Sequence, residues 1–118
     1  MKRMDCLFCK IRDGQIPSKK VYEDDDVLAF HDISPAAPVH ILVIPKKHIA
    51  SMKDASGEDW ALIGSIHKAA QHIAREQGIE ESGYRLVNNC GPDSGQLVYH
   101  IHYHLLGGKN LGPLVALH

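Results

Sequence analysis

Val98-Tyr99-His100-Ile101-His102-Tyr103-His104-Leu105-Leu106 alternates and is rich in Val, Tyr and Ile, which predicts a β-strand. Side chains on a strand point to opposite faces in turn. His100, His102 and His104 therefore share one face, and Ile101 and Tyr103 take the other. Three readings of the imidazole face compete. It is a solvated polar face, or it binds a metal, or it performs catalysis with one imidazole as nucleophile or base. A single ion held by all three is geometrically poor. The outer backbones lie ~13 Å apart at ~3.3 Å per residue, whereas zinc–nitrogen bonds are ~2 Å. Two of the three, helped from elsewhere, suffice for a metal.

The segment just upstream favours catalysis. Asn89-Cys90-Gly91-Pro92-Asp93-Ser94-Gly95-Gln96 runs straight into the histidine strand. Glycines let backbone N–H groups turn towards an anion, and Asn89 and Gln96 can donate from their side chains. The segment is either a plain turn or, beside three imidazoles, a phosphate seat. There is no GxxxxGK[ST] and no GxGxxG, so neither a P-loop nor a Rossmann site is present.

Composition narrows the field further. The chain has 118 residues, the length of one domain, spanning 1–118. Lys+Arg 13 against Asp+Glu 14 gives a net charge of -1, which excludes a strongly basic nucleic-acid binder. No apolar run is long enough to span a membrane, and no secretory signal is visible at the start. Three cysteines do not make a disulfide framework, so a cytoplasmic setting is expected. The anomaly is 9 histidines, the side chain that titrates nearest neutral pH.

The remaining elements follow from pattern. Asp5 to Arg12 reads as a short helix ended by Gly14. Lys20 to Glu23 and Val27 to Ile33 are strands about an acidic turn, Asp24-Asp25-Asp26. Leu28, Phe30 and Asp32 share a face. Val39 to Ile44 is a buried strand ended by Pro45. Ser56 and Asp59 form a capping-box variant ahead of a long helix. Its apolar stripe is Trp60, Ile63, Ile66, Ala70 and Ile73, and Gly78 stops it. Tyr84 to Asn88 is a strand. The expected class is α+β: an antiparallel sheet of about five strands, one long helix and one short N-terminal helix.

These residues resemble a known family. Gly95-Gln96-Leu97-Val98-Tyr99-His100-Ile101-His102-Tyr103-His104-Leu105-Leu106-Gly107-Gly108 is similar to the histidine-triad (HIT) motif. Phe30-His31-Asp32-Ile33-Ser34-Pro35, with Pro38-Val39-His40-Ile41-Leu42-Val43-Ile44-Pro45-Lys46-Lys47-His48, resembles the Hint branch, the histidine-triad nucleotide-binding proteins of bacterial type. Cys6-Leu7-Phe8-Cys9-Lys10-Ile11 fits its N-terminus. The resemblance implies a HIT-like fold, a homodimer, and a hydrolase cleaving the P–N bond of purine nucleoside phosphoramidates. His102 matches the nucleophile, which takes up the nucleotidyl group. His104 and Gln96 match groups holding the α-phosphate, and His40 matches a proton-relaying neighbour. Asn89, Gly95 and Leu97 lie on the phosphate side. Asp32 matches the ribose acceptor. Phe8, Ile11, Phe30, Ile33 and Leu42 match the apolar slot for the base. The tail 107–118 is expected near the dimer interface, with Leu114, Val115 and Leu117 buried there.

The chain departs from the family at Leu97, where many relatives carry a hydroxyl that bonds the scissile phosphate. Only the Leu97 backbone N–H remains for that task. Cys6-x-x-Cys9 has the spacing of half a zinc site. Relatives with this pair imply a structural zinc on Cys6, Cys9, His48 and His100, with no organic cofactor. Two other functions stay open beside the phosphoramidase. One is a nucleotide-sensing binding module with vestigial hydrolysis; the other is a dinucleoside polyphosphate hydrolase. His31, His67, His72 and His118 receive no role.

Overall fold

The computed structural model describes residues 6–115. The beginning of the expected N-terminal helix at Asp5, and Leu117 and His118 of the tail, lie outside the described residues.

The elements are α1 (Leu7–Arg12), β1 (Lys20–Glu23), β2 (Val27–His31), β3 (Val39–Pro45), α2 (Asp59–Glu76), β4 (Tyr84–Asn88) and β5 (Tyr103–Gly107). Short 3₁₀ turns at Met52–Asp54 and Pro92–Ser94 punctuate the connections. The strands form one sheet in the order β1-β2-β3-β5-β4, and every pairing is antiparallel. The expected α+β architecture is present, and β5 holds the sheet interior between β3 and β4.

Both faces of the central strands are covered, which explains their nearly unbroken apolar runs. Val27, Ala29, Ile41, Val43, Ile101, Tyr103 and Leu105 pack against Ile63, Ile66 and Ile73 of α2. Leu28, Phe30, Leu42 and Ile44 face the other way, onto Cys6, Phe8, Cys9 and Ile11 at α1. The register sets Phe30, Leu42 and His104 in one row across β2, β3 and β5. An imidazole thus ends up in line with an apolar slot.

Three expected boundaries move. The histidine strand was expected over Val98 to Leu106, but the ladder begins at Tyr103. Backbone groups before it bond elsewhere: the Ile101 N–H donates to the Ile49 carbonyl at 2.8 Å. The face alternation survives, because Ile101, Tyr103 and Leu105 enter the α2 core. β2 stops at His31, not Ile33. There the Asp32 carboxylate takes the Ser34 N–H at 2.7 Å and turns the chain. α2 begins at Asp59, and only half of the expected capping box forms: Asp59 Oδ2 accepts the Ser56 N–H at 3.1 Å. Trp60 leaves the core stripe and is 55% exposed, because its turn precedes the first one to meet the sheet, at Ile63. Gly107 serves packing: a Cβ there would sit 2.7 Å from Ile79 Cδ1.

Ile41 is fully buried and Ile33 is 98% exposed. Ile41→Ala is expected to cost about 2–5 kcal/mol, and Ile33→Ser less than about 0.5 kcal/mol. Urea unfolding of both variants checks the contrast.

Candidate active site and metal centre

The order of hydrogen bonds fixes the tautomer of each imidazole. His102 Nδ1 lies 2.9 Å from the His100 carbonyl oxygen. A carbonyl only accepts, so Nδ1 carries the proton and Nε2 keeps its lone pair. His102 is 8% exposed, and the edge-to-face ring of Phe8 lies 5.0 Å away between centroids. Burial lowers its pKa, opposed by the bond to His100 and by the Asp32 charge. The result is a neutral, oriented imidazole with a basic nitrogen.

A second chain runs beside it. The Ala36 N–H donates to His40 Nδ1 at 2.9 Å, so His40 Nε2 bears the proton. That N–H donates to His104 Nδ1 at 2.9 Å, which leaves His104 with an Nε2–H donor. Asp32 Oδ2 stands 3.4 Å from His40 Nε2. Burial, then the neighbouring His102 and His40, lowers the His104 pKa to about 4, with Asp32 acting the other way. Asp32, His40 and His104 have ligand atoms within 4.8 Å of one another. The Ala36 bond nevertheless occupies the only lone pair of neutral His40, which makes this trio a hydrogen-bond chain and a poor metal site.

The other cluster has the opposite character. Cys6 Sγ lies 3.4 Å and Cys9 Sγ 3.6 Å from His100 Nδ1. His48 Nδ1 lies 3.3 Å from Cys9 Sγ and 3.2 Å from His100 Nδ1. Metal–ligand bonds of ~2.0–2.3 Å give tetrahedral edges of ~3.3–3.8 Å, close to these separations. His100 Nε2 donates to the Pro45 carbonyl at 2.8 Å, so its Nδ1 lone pair is free to face the thiols. Burial keeps His100 neutral, with a pKa of about 4. A Cys2His2 set on one point, with a carbonyl orienting a ligand histidine from behind, fits a divalent metal.

A cleft of about 860 Å³ opens beside the imidazoles. Phe8, Ile11, Phe30, Asp32, Ile33 and Leu42 all line it. Ile33 forms rim and not wall, given its exposure. Leu7, Ile16, His31 and Val98 also line the cleft, although none stands out in sequence as a site residue. Asn88, also missed, donates from Nδ2 to the His102 carbonyl at 3.0 Å. Its neighbour Asn89 is half-buried. His67 and His72 are exposed on α2.

Two of the residues expected on the phosphate side have their donors engaged within the protein. The Gly95 N–H bonds the Pro92 carbonyl at 3.0 Å, so Gly95 contributes its left-handed backbone (φ +90°) and not a donor. The Gln96 amide is likewise spent: its N–H bonds the Gly91 carbonyl, and its side chain bonds backbone on three sides. Leu97 is 90% exposed.

The HIT domain profile matches residues 13–111. The chain is 50% identical over 112 residues to the purine nucleoside phosphoramidase of Escherichia coli (strain K12), covering 95% of this chain and 94% of that protein. A histidine triad protein from Clostridium difficile superposes with a TM-score of 0.93 at 53% identity, covering 98% of this chain and 100% of its own. A HIT family hydrolase from Legionella pneumophila Philadelphia 1 gives a TM-score of 0.89 at 51% identity, covering 91% of this chain and 96% of its own.

Long-range ¹H–¹⁵N spectra at neutral pH should show His102 as the Nδ1–H tautomer and His40 and His104 as Nε2–H. His104 should titrate near 4, below the usual 6.5. Since the unfolded chain takes up this proton first, the group's contribution to stability is complete above the usual value and fades as pH falls towards the folded one. An Nε2–H signal on His102 would overturn the assignment.

Proposed function

The chain belongs to the HIT family, and from that premise we propose that it cleaves the P–N bond of purine nucleoside 5′-phosphoramidates through a covalent nucleotidyl-histidine intermediate. The observation that carries the proposal is the His102–His100 hydrogen bond, which leaves the His102 Nε2 lone pair available. In the first step Nε2 attacks the α-phosphorus. The P–N bond breaks, and its electron pair leaves with the amine, which takes up a proton from solvent. In the second step water attacks the same phosphorus and gives its proton to solvent. The bond from phosphorus to Nε2 breaks with its electron pair returning to His102, which releases the nucleoside monophosphate and restores the neutral ring. Two easier displacements replace one difficult one.

The other residues take roles that suit their placement. The His104 Nε2–H, held by His40 behind it, faces the charge that develops on phosphate oxygen. The Leu97 backbone amide and Asn89 complete the phosphate side. Asp32 retains lone pairs for ribose hydroxyls after accepting from Ser34. Phe8, Ile11, Phe30, Ile33 and Leu42 seat the base, together with Leu7, Ile16 and Val98. An apolar slot with few polar groups favours purine stacking over discrimination between purines.

Cys6, Cys9, His48 and His100 would hold a structural zinc ion, whose contribution when bound is to cross-link α1 to the segment before β5. A homodimer is supported by Tyr84, Leu114 and Val115, all exposed apolar side chains. Arg85 of β4 holds the Gly112 carbonyl at 2.9 Å, bringing the tail beside that edge strand. No described helix is long and apolar enough to cross a membrane. Among the described residues Cys6, Cys9 and Cys90 form no disulfide, which suits the reducing cytoplasm.

His102→Ala should abolish turnover of an adenosine phosphoramidate, by about 10⁴-fold or more, while AMP still binds. Normal turnover by that variant would remove His102 as nucleophile. Tight AMP binding by the unmodified protein without turnover of any phosphoramidate would favour a sensing module. Protein purified without added metal should carry about one zinc per chain and elute as a dimer at low micromolar concentration. Zinc near zero with full activity, or a clean monomer, would refute the respective assignment.

A further inference from the structure

Gln96 sits beside the nucleophile's segment, yet its carboxamide points inward. The residue is 6% exposed. Its Oε1 accepts the Gly91 N–H at 2.9 Å, and its Nε2 donates to the Ala50 carbonyl at 2.9 Å and the Val98 carbonyl at 3.1 Å. A carboxamide has two N–H donors, and both are committed. Contact with a phosphate through Nε2 would strip a partner from one of these carbonyls, which is costly in a buried setting.

The three bonds join particular places. Gly91 and Val98 bracket the loop that precedes the histidines, and the loop is also closed from within. The Gly91 carbonyl accepts the Gln96 N–H at 3.3 Å and the Ser94 hydroxyl at 2.6 Å. Ala50 lies on the strip that follows His48. The same strip receives a second tie, from the Ile101 N–H to the Ile49 carbonyl at 2.8 Å. Gln96 and Ile101 thus stitch the segment leading into the nucleophile to residues 49–50.

We propose that Gln96 is a positioning residue, whose carboxamide closes the 91–98 loop and pins it to Ala50, so that the Leu97 amide meets the phosphate without any contact from Gln96 itself. The inference rests on the phosphoramidase reading. It matters more in this chain than in one with a hydroxyl at position 97, because the backbone amide is the donor that residue 97 retains.

The test starts with the unmodified protein. On addition of AMP, the Leu97 backbone amide should shift in ¹H–¹⁵N spectra, while the Gln96 side-chain protons stay in place and exchange slowly with solvent. A Gln96 side-chain shift as large as that of Leu97 overturns the proposal, even if no variant folds. Gln96→Met removes all three bonds at nearly constant volume. It should lower kcat by about 100-fold, the scale of a misplaced reacting group, leave adenosine affinity unchanged and speed hydrogen exchange at Gly91. Gln96→Glu keeps an acceptor for Gly91, and should protect that amide while still losing turnover. Turnover retained in Gln96→Met overturns the proposal. So does turnover lost in Gln96→Met with Gly91 exchange unchanged, which marks direct contact. Absence of phosphoramidate turnover in the unmodified protein refutes the underlying reading instead, and the AMP spectra still decide the role of Gln96.

Discussion

The hydrogen bond from His102 Nδ1 to the His100 carbonyl, 2.9 Å long, is the constraint around which the rest is arranged. It spans two residues along the same chain, in a segment that stands outside the ladder. The backbone groups before Tyr103 must therefore find partners elsewhere or remain costly. Asn88 serves the His102 carbonyl, Ile49 serves the Ile101 N–H, and Gln96 serves Val98. Among the described residues no buried side-chain nitrogen or oxygen lacks a partner. The satisfied network is what holds the His102 ring still without a regular strand beneath it.

The same bond divides the imidazoles between two kinds of chemistry. His100 gives its carbonyl to His102 and turns its ring to the thiols. His104, next on that face, receives the His40 proton and stands in the row of Phe30 and Leu42. Burial lowers the pKa of all three histidines of the motif. Protonating any of them would place a cation among apolar walls and other imidazoles. Neutral rings need their tautomers set by partners, and each receives one: a carbonyl for His100, a carbonyl for His102, a ring N–H for His104. What each ring offers chemically is a matter of which nitrogen holds the proton.

Much of this was legible from residue pattern because alternation is a local property. Ile101 and Tyr103 against His100, His102 and His104 needed only a period of two. The HIT resemblance then supplied the cleft residues, and all six of the expected nucleoside contacts line one cavity. Less legible were partners and exposure, because a polar side chain does not announce its partner and an apolar one does not announce its turn. Gln96 has equal chemical right to a phosphate or to backbone carbonyls, and only the fold brings Ala50 to it. Asn88 and Asn89 are identical in sequence, and the pairing of β4 with β5 sets Asn88 opposite Tyr103, beside the His102 carbonyl. Ile33 resembles its apolar neighbours, but the Asp32 turn carries it out of β2 and into solvent.

The cleft wall depends on the Cys2His2 cluster for a simple reason of length. α1 has six residues, too few to be stable as an isolated helix in water. Its first turn is held by Cys6, whose Sγ accepts the Cys9 N–H at 3.4 Å, and both sulfurs face His100. Phe8 lies between those cysteines in sequence, and its ring meets His102, His100 and Phe30 edge-on. A link joining Cys6 and Cys9 to His100 would settle two things together. It would hold the short helix down and set the Phe8 ring against that of His102. The cleft and the His102 ring share this wall, so whatever fixes α1 also sets the cleft against His102.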